Sequence, residues 1–405
     1  MATESLYENI KAEMQLPQDV LTFYELFKKK NKDIFVVGGA VRDFIMGKTP
    51  HDFDLVTNAL PDETKEILKD YRTDLQGEHF GVIRVYTEDE PLGYEIASYR
   101  KDISFGRDNK SEGEKVEIGK HITIEDDVLR RDFTQNALFY DIGKKEIIDL
   151  VGGVEDIKNN IIRAVGKPEE RFKEDRLRII RAIRFSARSN SKIDEQTSEA
   201  IRKDNRLRNV SSKEDVSQER IIDEIIKKMW DFCEKKNDIK AWQRYFKLLV
   251  EFDLLKEMFP NVKINNDVQY IETLNLQITF TTLFEDNEPT LNFEKTLIRD
   301  FKLSTKIVNN IIFLLIYLRN AGNVDNVFML KKKQNQYNIS NVIIKEYSDL
   351  NGIGKKFTDK FLEYELSISG EDVMADGFKG VDIGVEQKRR ETEIFNNLLN
   401  ENYIF

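Results

Sequence analysis

One cysteine and three histidines are all that this 405-residue chain offers by way of thiol and imidazole. The single thiol, Cys233, excludes an intrachain disulfide and a cysteine-cluster zinc site, so a filler role is expected for it. His51, His79 and His121 all fall in the first third, and count alone excludes a His/Asp metal-dependent phosphohydrolase domain further on. Long apolar runs are missing too. The longest, IIFLLIYL at 311–318, falls well short of the ~18 residues needed to cross a bilayer, and no membrane span is expected. The opening MATESLYENIKAEMQ has neither a basic-then-apolar leader nor an Arg-rich, acid-poor transit composition, which makes the cytoplasm, or its viral or host equivalent, the expected location. A net charge of −10 argues against whole-surface binding of nucleic acid, so any RNA contact must come from local basic patches.

What the chain does have is length for two to four domains, with 40% hydrophobic and 34% charged residues, the balance of a globular protein rich in surface helix. Its densest stretch is VVGGAVRDFIMGKTPHDFDL, residues 36–55. Val36 and Val37 read as the end of a buried strand, Gly38 and Gly39 as a tight turn, and residues 40–46 as the short helix that the turn opens. Amides of such a turn favour an anion, and Arg42 adds a fixed positive charge one turn in. A second strand over 53–56 brings Asp52 and Asp54, which the two-residue period of a strand sets on one face. Two hard anionic oxygens beside a phosphate cradle suit Mg²⁺ bridging a triphosphate and a nucleophile. A lone GG is usually a turn and a lone DxD a solvated strand edge. Together, within about twenty residues, they point to nucleotidyl transfer.

Around that centre, residues 1–33 read as one or two amphipathic helices covering the sheet, and 61–69 as a helix opened by Pro61. Residues 79–100 read as a strand pair about a turn at 88–93, with Glu95 on the second strand as a third carboxylate that could help hold the metal or take the proton from the attacking hydroxyl. Polar residues 101–119 read as a flexible loop, and 146–166 as strand, turn and strand. Residues 167–189 read as a helix with Leu177, Ile180, Ile183 and Ala187 on one face and Asp175, Arg178, Arg181 and Arg188 on the other. Asp175 and Arg178 put an acceptor beside a donor. Cytosine and adenine each offer an amino donor beside a ring-nitrogen acceptor and match that pair, whereas uracil and guanine present the opposite order, a mismatch costing on the order of several kcal/mol. Between 167 and 188, eight basic residues stand against four acidic ones, a locally positive segment on an acidic chain. Ser217 is an expected N-cap, residues 238–260 are amphipathic helix, and 261–350 are helical in pattern without identifiable chemistry. A glycine series at 366–384 allows close backbone approach, for which RNA phosphates are the natural candidate.

GGAVRD followed by DFDL resembles the signature of the class II CCA-adding tRNA nucleotidyltransferase and bacterial poly(A) polymerase family. RRDFTQNAL, EDRLR with RAIRF, SQERI, the LLKEMFP stretch and SGEDVM with its following glycines resemble that family's further motifs in their expected order; Phe378-Lys379-Gly380 departs from it, lacking the usual proline. The resemblance implies an α+β fold: a polymerase-beta-like, mixed-sheet nucleotidyltransferase head at 1–150, a helical neck for base recognition at 151–225, a helical body at 226–330 and a tRNA-binding helical tail at 331–405. It implies a template-independent CCA-adding enzyme acting on tRNA with CTP and ATP and releasing pyrophosphate. Asp52 and Asp54 would bind Mg²⁺; Gly38, Gly39, Arg42 and Arg131 would hold triphosphate; Asp175 and Arg178 would choose the base, with Arg181 and Arg184 as further nucleotide contacts. Asp132 is expected to orient Arg131, Glu95 matches an acidic strand position of the family, and the loop after Arg100 is one that moves between C and A addition. The nearest alternatives are a poly(A) polymerase, against which the HFG at 79–81 and the missing basic GRRF-type stretch speak, and a CC-only or A-only enzyme. An inactive RNA-binding protein on the same scaffold is a more distant one.

Overall fold

A computed structural model describes residues 8–76, 81–102, 116–207 and 216–400, and the chain divides into two compact units, Met1–Val216 and Ser217–Phe405. The first unit contains strands β1 (Glu8–Lys11), β2 (Ile34–Val37), β3 (Asp54–Thr57), β4 (Arg72–Gln76), β5 (Val82–Tyr86), β6 (Tyr94–Ser98), the short pair β7 (Lys101–Asp102) and β8 (Val116–Glu117), then β9 (Leu138–Asp141) and β10 (Glu146–Asp149). Eight of these make one mixed sheet in the order β1-β10-β9-β2-β3-β6-β5-β4, in which β3 and β6 run parallel and the other neighbours antiparallel. Helices α1 (Gln18–Lys29), α2 (Gly39–Ile45), α3 (Pro61–Ile67), α4 (Ile124–Leu129) and α5 (Gly153–Lys158) accompany it.

Strand alternation sorts the apolar residues onto two faces, both covered. Val36 and Leu55 join Val20, Phe23 and Phe27 of α1 in one core, while Val37, Val56 and Phe139 pack with Val128 and Val165 in another. The N-terminal segment departs from the helices expected over 1–33: Glu8–Lys11 is an edge strand, Ile10 opposite Ile147. Four residues carry no period of their own, and the partner that makes them a strand lies far along the chain. β4 escaped the sequence reading because RTDLQ carries a single large apolar residue, although its partner β5 follows it directly in the chain. Between β10 and the next strand the expected turn is the helix α5, whose first amides converge on one carboxylate: Asp149 accepts from Val151, Gly152, Gly153 and Val154 N at 2.8–3.1 Å.

After β11 (Ile161–Ile162) the helix expected over 167–189 is two, α6 (Pro168–Glu174) and α7 (Leu177–Ser189), followed by β12 (Lys192–Ile193) and α8 (Glu195–Lys203). The break falls at Asp175, whose backbone is extended (φ −146°, ψ 107°) and whose carboxylate accepts from Leu177 N at 3.0 Å. An Asp able to serve its own chain two residues on competes with helix continuation, and here it wins.

Among the described residues the second unit has helices and no strand. Ser217 caps its first helix, accepting from Arg220 N, and Cys233 is buried as filler. Tyr364, Phe357, Phe361 and Phe395 share a core with Phe313 and Tyr317. Buried Glu391 ties down the approach to the glycine series, accepting from Ser367 N at 2.7 Å, Ile368 N at 2.5 Å and the Tyr364 hydroxyl. Among the described residues no helix is long and apolar enough to cross a membrane.

Candidate active site

The β2–β3 pairing places the acidic residues beside the glycine turn. Val37 stands opposite Asp54, and the chain then turns at Gly38 with φ +73°, a conformation open to glycine. The position a Cβ would take on Gly38 lies 3.9 Å from both Arg131 Nη1 and Asn136 O. α2 begins at Gly39 and runs seven residues. Asp54 opens β3, whereas Asp52 precedes the strand, separated by buried Phe53. Parallel pairing of Leu55 with Ile96 then sets Asp54 beside Glu95 on β6.

Both aspartates are open to solvent on one side and hemmed in by protein on the others. Burial, then Asp52 and Glu95, push the Asp54 carboxyl up to about 6 against the pull of Arg131. Asp52 is raised as well, by burial, Glu95 and Glu90, against Arg84. Glu95 itself accepts from Arg84 Nη2. Two hard carboxylates whose own repulsion raises their proton affinity are a donor set that fits Mg²⁺. Among the described residues no group of three or more His, Cys, Asp and Glu side chains is placed to hold a metal ion.

Beside this edge the arginines are held by carboxylates buried behind them. Asp127, fully buried, accepts from Arg131 Nε at 3.1 Å and Nη2 at 2.8 Å, from Arg130 Nε at 2.9 Å and from Arg100 N at 3.2 Å. Burial alone would raise its carboxyl, but Arg131, Arg130 and Arg100 hold it below the usual range. It is therefore Asp127 that orients Arg131, not Asp132 as expected: the two lie one helical turn apart, whereas Asp132 points to α7 and accepts from Arg181 Nε and Nη2 at 2.9 and 2.6 Å. Arg131 also donates to Asn136 O at 3.3 Å, and Arg42 Nη1 donates to Asn136 Oδ1 at 2.8 Å.

The residues of α7 are not all where helical spacing put them. Arg178, which spacing put on the polar face, is buried, and so is Arg184, expected as a nucleotide contact. Arg178 donates to Glu174 Oε2 at 2.6 Å, Arg171 O at 3.2 Å and Arg130 O at 3.0 Å, while Asp175 sits half-buried in the break before the helix. Arg42, Arg181 and Arg184 gather over one ring, Phe185, at 5.7, 5.4 and 4.2 Å. Asp127, Asn136 and Phe185 escaped the sequence reading. Asp127 had a signal, an acid four residues before Arg131, and Phe185 one in the arginines flanking it, whereas the contact of Asn136 with Arg42 joins residues far apart in the chain. His79 and most of the loop after Arg100 lie outside the described residues.

Residues 34–163 match the family model described as the Poly A polymerase head domain. A CCA-adding enzyme of Ligilactobacillus salivarius is 39% identical over 202 residues, 50% of this chain and 47% of that protein. Poly(A) polymerase I of Salmonella typhi is 30% identical over 253 residues, 61% of this chain and 51% of that protein. The chain thus spans about half the length of these curated relatives. Residues 34–163 are thus similar to the head domain of that family, and the matched relatives are CCA-adding enzymes and bacterial poly(A) polymerases. Its fold is that of a Bacillus stearothermophilus CCA-adding enzyme solved with CTP, with a TM-score of 0.63 at 22% identity over 96% of this chain and 94% of that one.

Proposed function

We propose that the protein adds C, C and A to the 3′ end of tRNA from CTP and ATP, releasing pyrophosphate and using no nucleic-acid template. The observation that carries the reading is the placement of Asp52, Asp54 and Glu95 beside Gly38 and Arg131, in the unit that also holds Asp175 and Arg178. Asp52 and Asp54 would hold Mg²⁺, which when bound eases deprotonation of the 3′ hydroxyl and neutralises charge on the triphosphate. Arg42 and Arg131, with Gly38 and Gly39, bind triphosphate oxygens; a planar guanidinium already fixed by Asp127 loses little freedom on doing so. Glu95 completes the acidic row as a third carboxylate. Asp175 accepts from the amino group of cytosine or adenine and Arg178 donates to the ring nitrogen, which requires Arg178 to exchange part of its pairing with Glu174 for the base. Arg181 and Arg184 support the nucleotide around Phe185. Head, neck, body and tail functions are assigned to 1–150, 151–225, 226–330 and 331–405, with tRNA contacts along the basic segment at 167–188 and the glycine series at 366–384, and a cytoplasmic location belongs to the same reading.

A second reading, poly(A) polymerase, is favoured by one observation: the Salmonella typhi polymerase matches 61% of this chain, the lactobacillar CCA-adding enzyme 50%. Incubation with CTP, ATP and a tRNA transcript lacking its 3′ terminus, followed by sequencing of product ends, separates the two. Ends completed to CCA support our reading, long adenosine tracts support the other, ends stopping at CC or gaining A alone mark a partial enzyme, and unextended RNA overturns all three.

A further inference from the structure

Four charged side chains cross the sheet in a row. β3–β6 pairing sets Asp54 beside Glu95, Glu95 stands directly opposite Arg84 on β5, and Arg84 opposite Asp74 on β4. Residues paired in this way share a face, so the sequence of charges across the sheet is negative, negative, positive, negative. Asp74 has its own cation in Arg72, at 3.8 Å, whereas Arg84 gives Nη2 to Glu95 and keeps Nε buried with no hydrogen-bond partner. Space for the arginine is built in: a Cβ on Gly93 would lie 2.6 Å from Arg84 Cγ. No step proposed above uses this residue.

We propose that Arg84 is the resident counter-cation of the acidic row, a positioning residue that engages Glu95 while no divalent ion is bound and thereby lowers the affinity of the site for that ion until a nucleotide arrives. The inference rests on the placement of the ion at Asp52 and Asp54. Mg²⁺ is ordinarily held by one or two carboxylates together with substrate phosphates, so a site whose third carboxylate is already engaged binds the ion weakly alone and more firmly with the triphosphate. The sign of the effect separates this role from a structural one. Removing a residue that merely braces the site weakens ion binding, whereas removing a competing cation strengthens it.

The test uses Mn²⁺ without nucleotide, its free fraction read by electron paramagnetic resonance on the full chain. Arg84→Met and Arg84→Gln should each bind Mn²⁺ about 3- to 10-fold more tightly than the unsubstituted protein. Arg84→Lys should restore the original affinity, and the gain should shrink when Arg84→Met is combined with Glu95→Gln. Binding lost in Asp54→Asn but unchanged or weakened by both Met and Gln at 84 overturns this proposal alone. Mn²⁺ binding that survives Asp52→Asn and Asp54→Asn overturns the placement of the ion, and this proposal with it.

Discussion

Asp132 holds Arg181 with a single oxygen, Oδ2, which accepts from Nε at 2.9 Å and from Nη2 at 2.6 Å, while Oδ1 takes Phe133 N at 2.8 Å and Asn136 Nδ2 at 3.2 Å. The turn after α4 and the middle of α7 are thereby joined through one carboxylate whose side chain is only 10% exposed. Removing one partner of such a pair leaves the other charge without compensation in a place where water helps little. Asp132→Ala should cost about 3 kcal/mol of stability, the low end of the range because Arg181 keeps some access to solvent, and Asp132→Asn should cost less. Chemical denaturation monitored through the first unit reads this, and unchanged midpoints for both would contradict it.

Asp54 should behave in the opposite sense. Its carboxyl, raised from 3.8 to about 6, binds a proton more tightly in the folded protein than in the unfolded chain. That contribution to stability is fully present below 3.8 and lost as pH rises through about 6, so at pH 8 without divalent ions the charge is a liability. Asp54→Asn should therefore raise Tm by a few degrees at pH 8, with a smaller gain at pH 5, and abolish nucleotide incorporation. A thermal melt at both pH values checks the sign.

Proton and divalent cation also compete for that carboxylate. Divalent affinity should fall as pH drops below about 6, and the fall should be missing from whatever binding remains in Asp54→Asn. Isothermal titration with Mg²⁺ across pH 5–8 measures it, and affinity that stays flat through this window would remove Asp54 from the ion's ligands.

Local spacing carried much of this into view, and the limits of local spacing mark what it missed. The strand, the Gly38 turn, the helix and the Asp52–Asp54 pair lie within one short stretch, and each announces itself by period or by turn chemistry. Arg131 was legible, but its partner was assigned to the adjacent Asp132 rather than to Asp127 one turn back, because adjacency in sequence is not adjacency on a helix. The break between α6 and α7 hid in a charge pattern that fits a continuous helix, since the signal of the break is the same Asp175 read as a base-recognition residue. β1 and the contact of Asn136 with Arg42 depend on partners distant in the chain, which no window can contain, whereas β4 pairs with the adjacent β5 and was hidden by its own polar sequence.

Base choice gives a cleaner test than loss of activity. Asp175 both receives Leu177 N and is assigned to the nucleobase, so its replacement must keep the first role while altering the second. Asparagine serves such local caps about as well as aspartate, yet brings an amide donor where the carboxylate only accepts. Asp175→Asn should keep the fold and narrow the preference for CTP and ATP over UTP and GTP by at least roughly tenfold. Misincorporation measured by sequencing product ends decides it, and unchanged selectivity would remove Asp175 from base recognition.

Gly153 links stability to the same site. It starts α5, where alanine is the better helix former by about 1 kcal/mol, so propensity alone predicts that Gly153→Ala stabilises. A Cβ there would lie 2.2 Å from Thr134 O and 2.8 Å from Thr134 C, and backbone atoms cannot rotate aside as a side chain can. Overpacking of this kind costs about 1–3 kcal/mol, so the clash outweighs the propensity gain and the variant should be destabilised. Relief requires the 134–136 turn to shift, and with it Asn136, which both Arg42 and Arg131 contact. KM for the nucleotide should therefore rise along with the loss of stability. Gly152→Ala is the control: its φ of +78° makes it strained as well, but nothing lies within 4 Å of its Cβ position. It should lose stability by about 1 kcal/mol while KM stays put. If both variants left KM unchanged, the turn would brace the fold without setting the arginines.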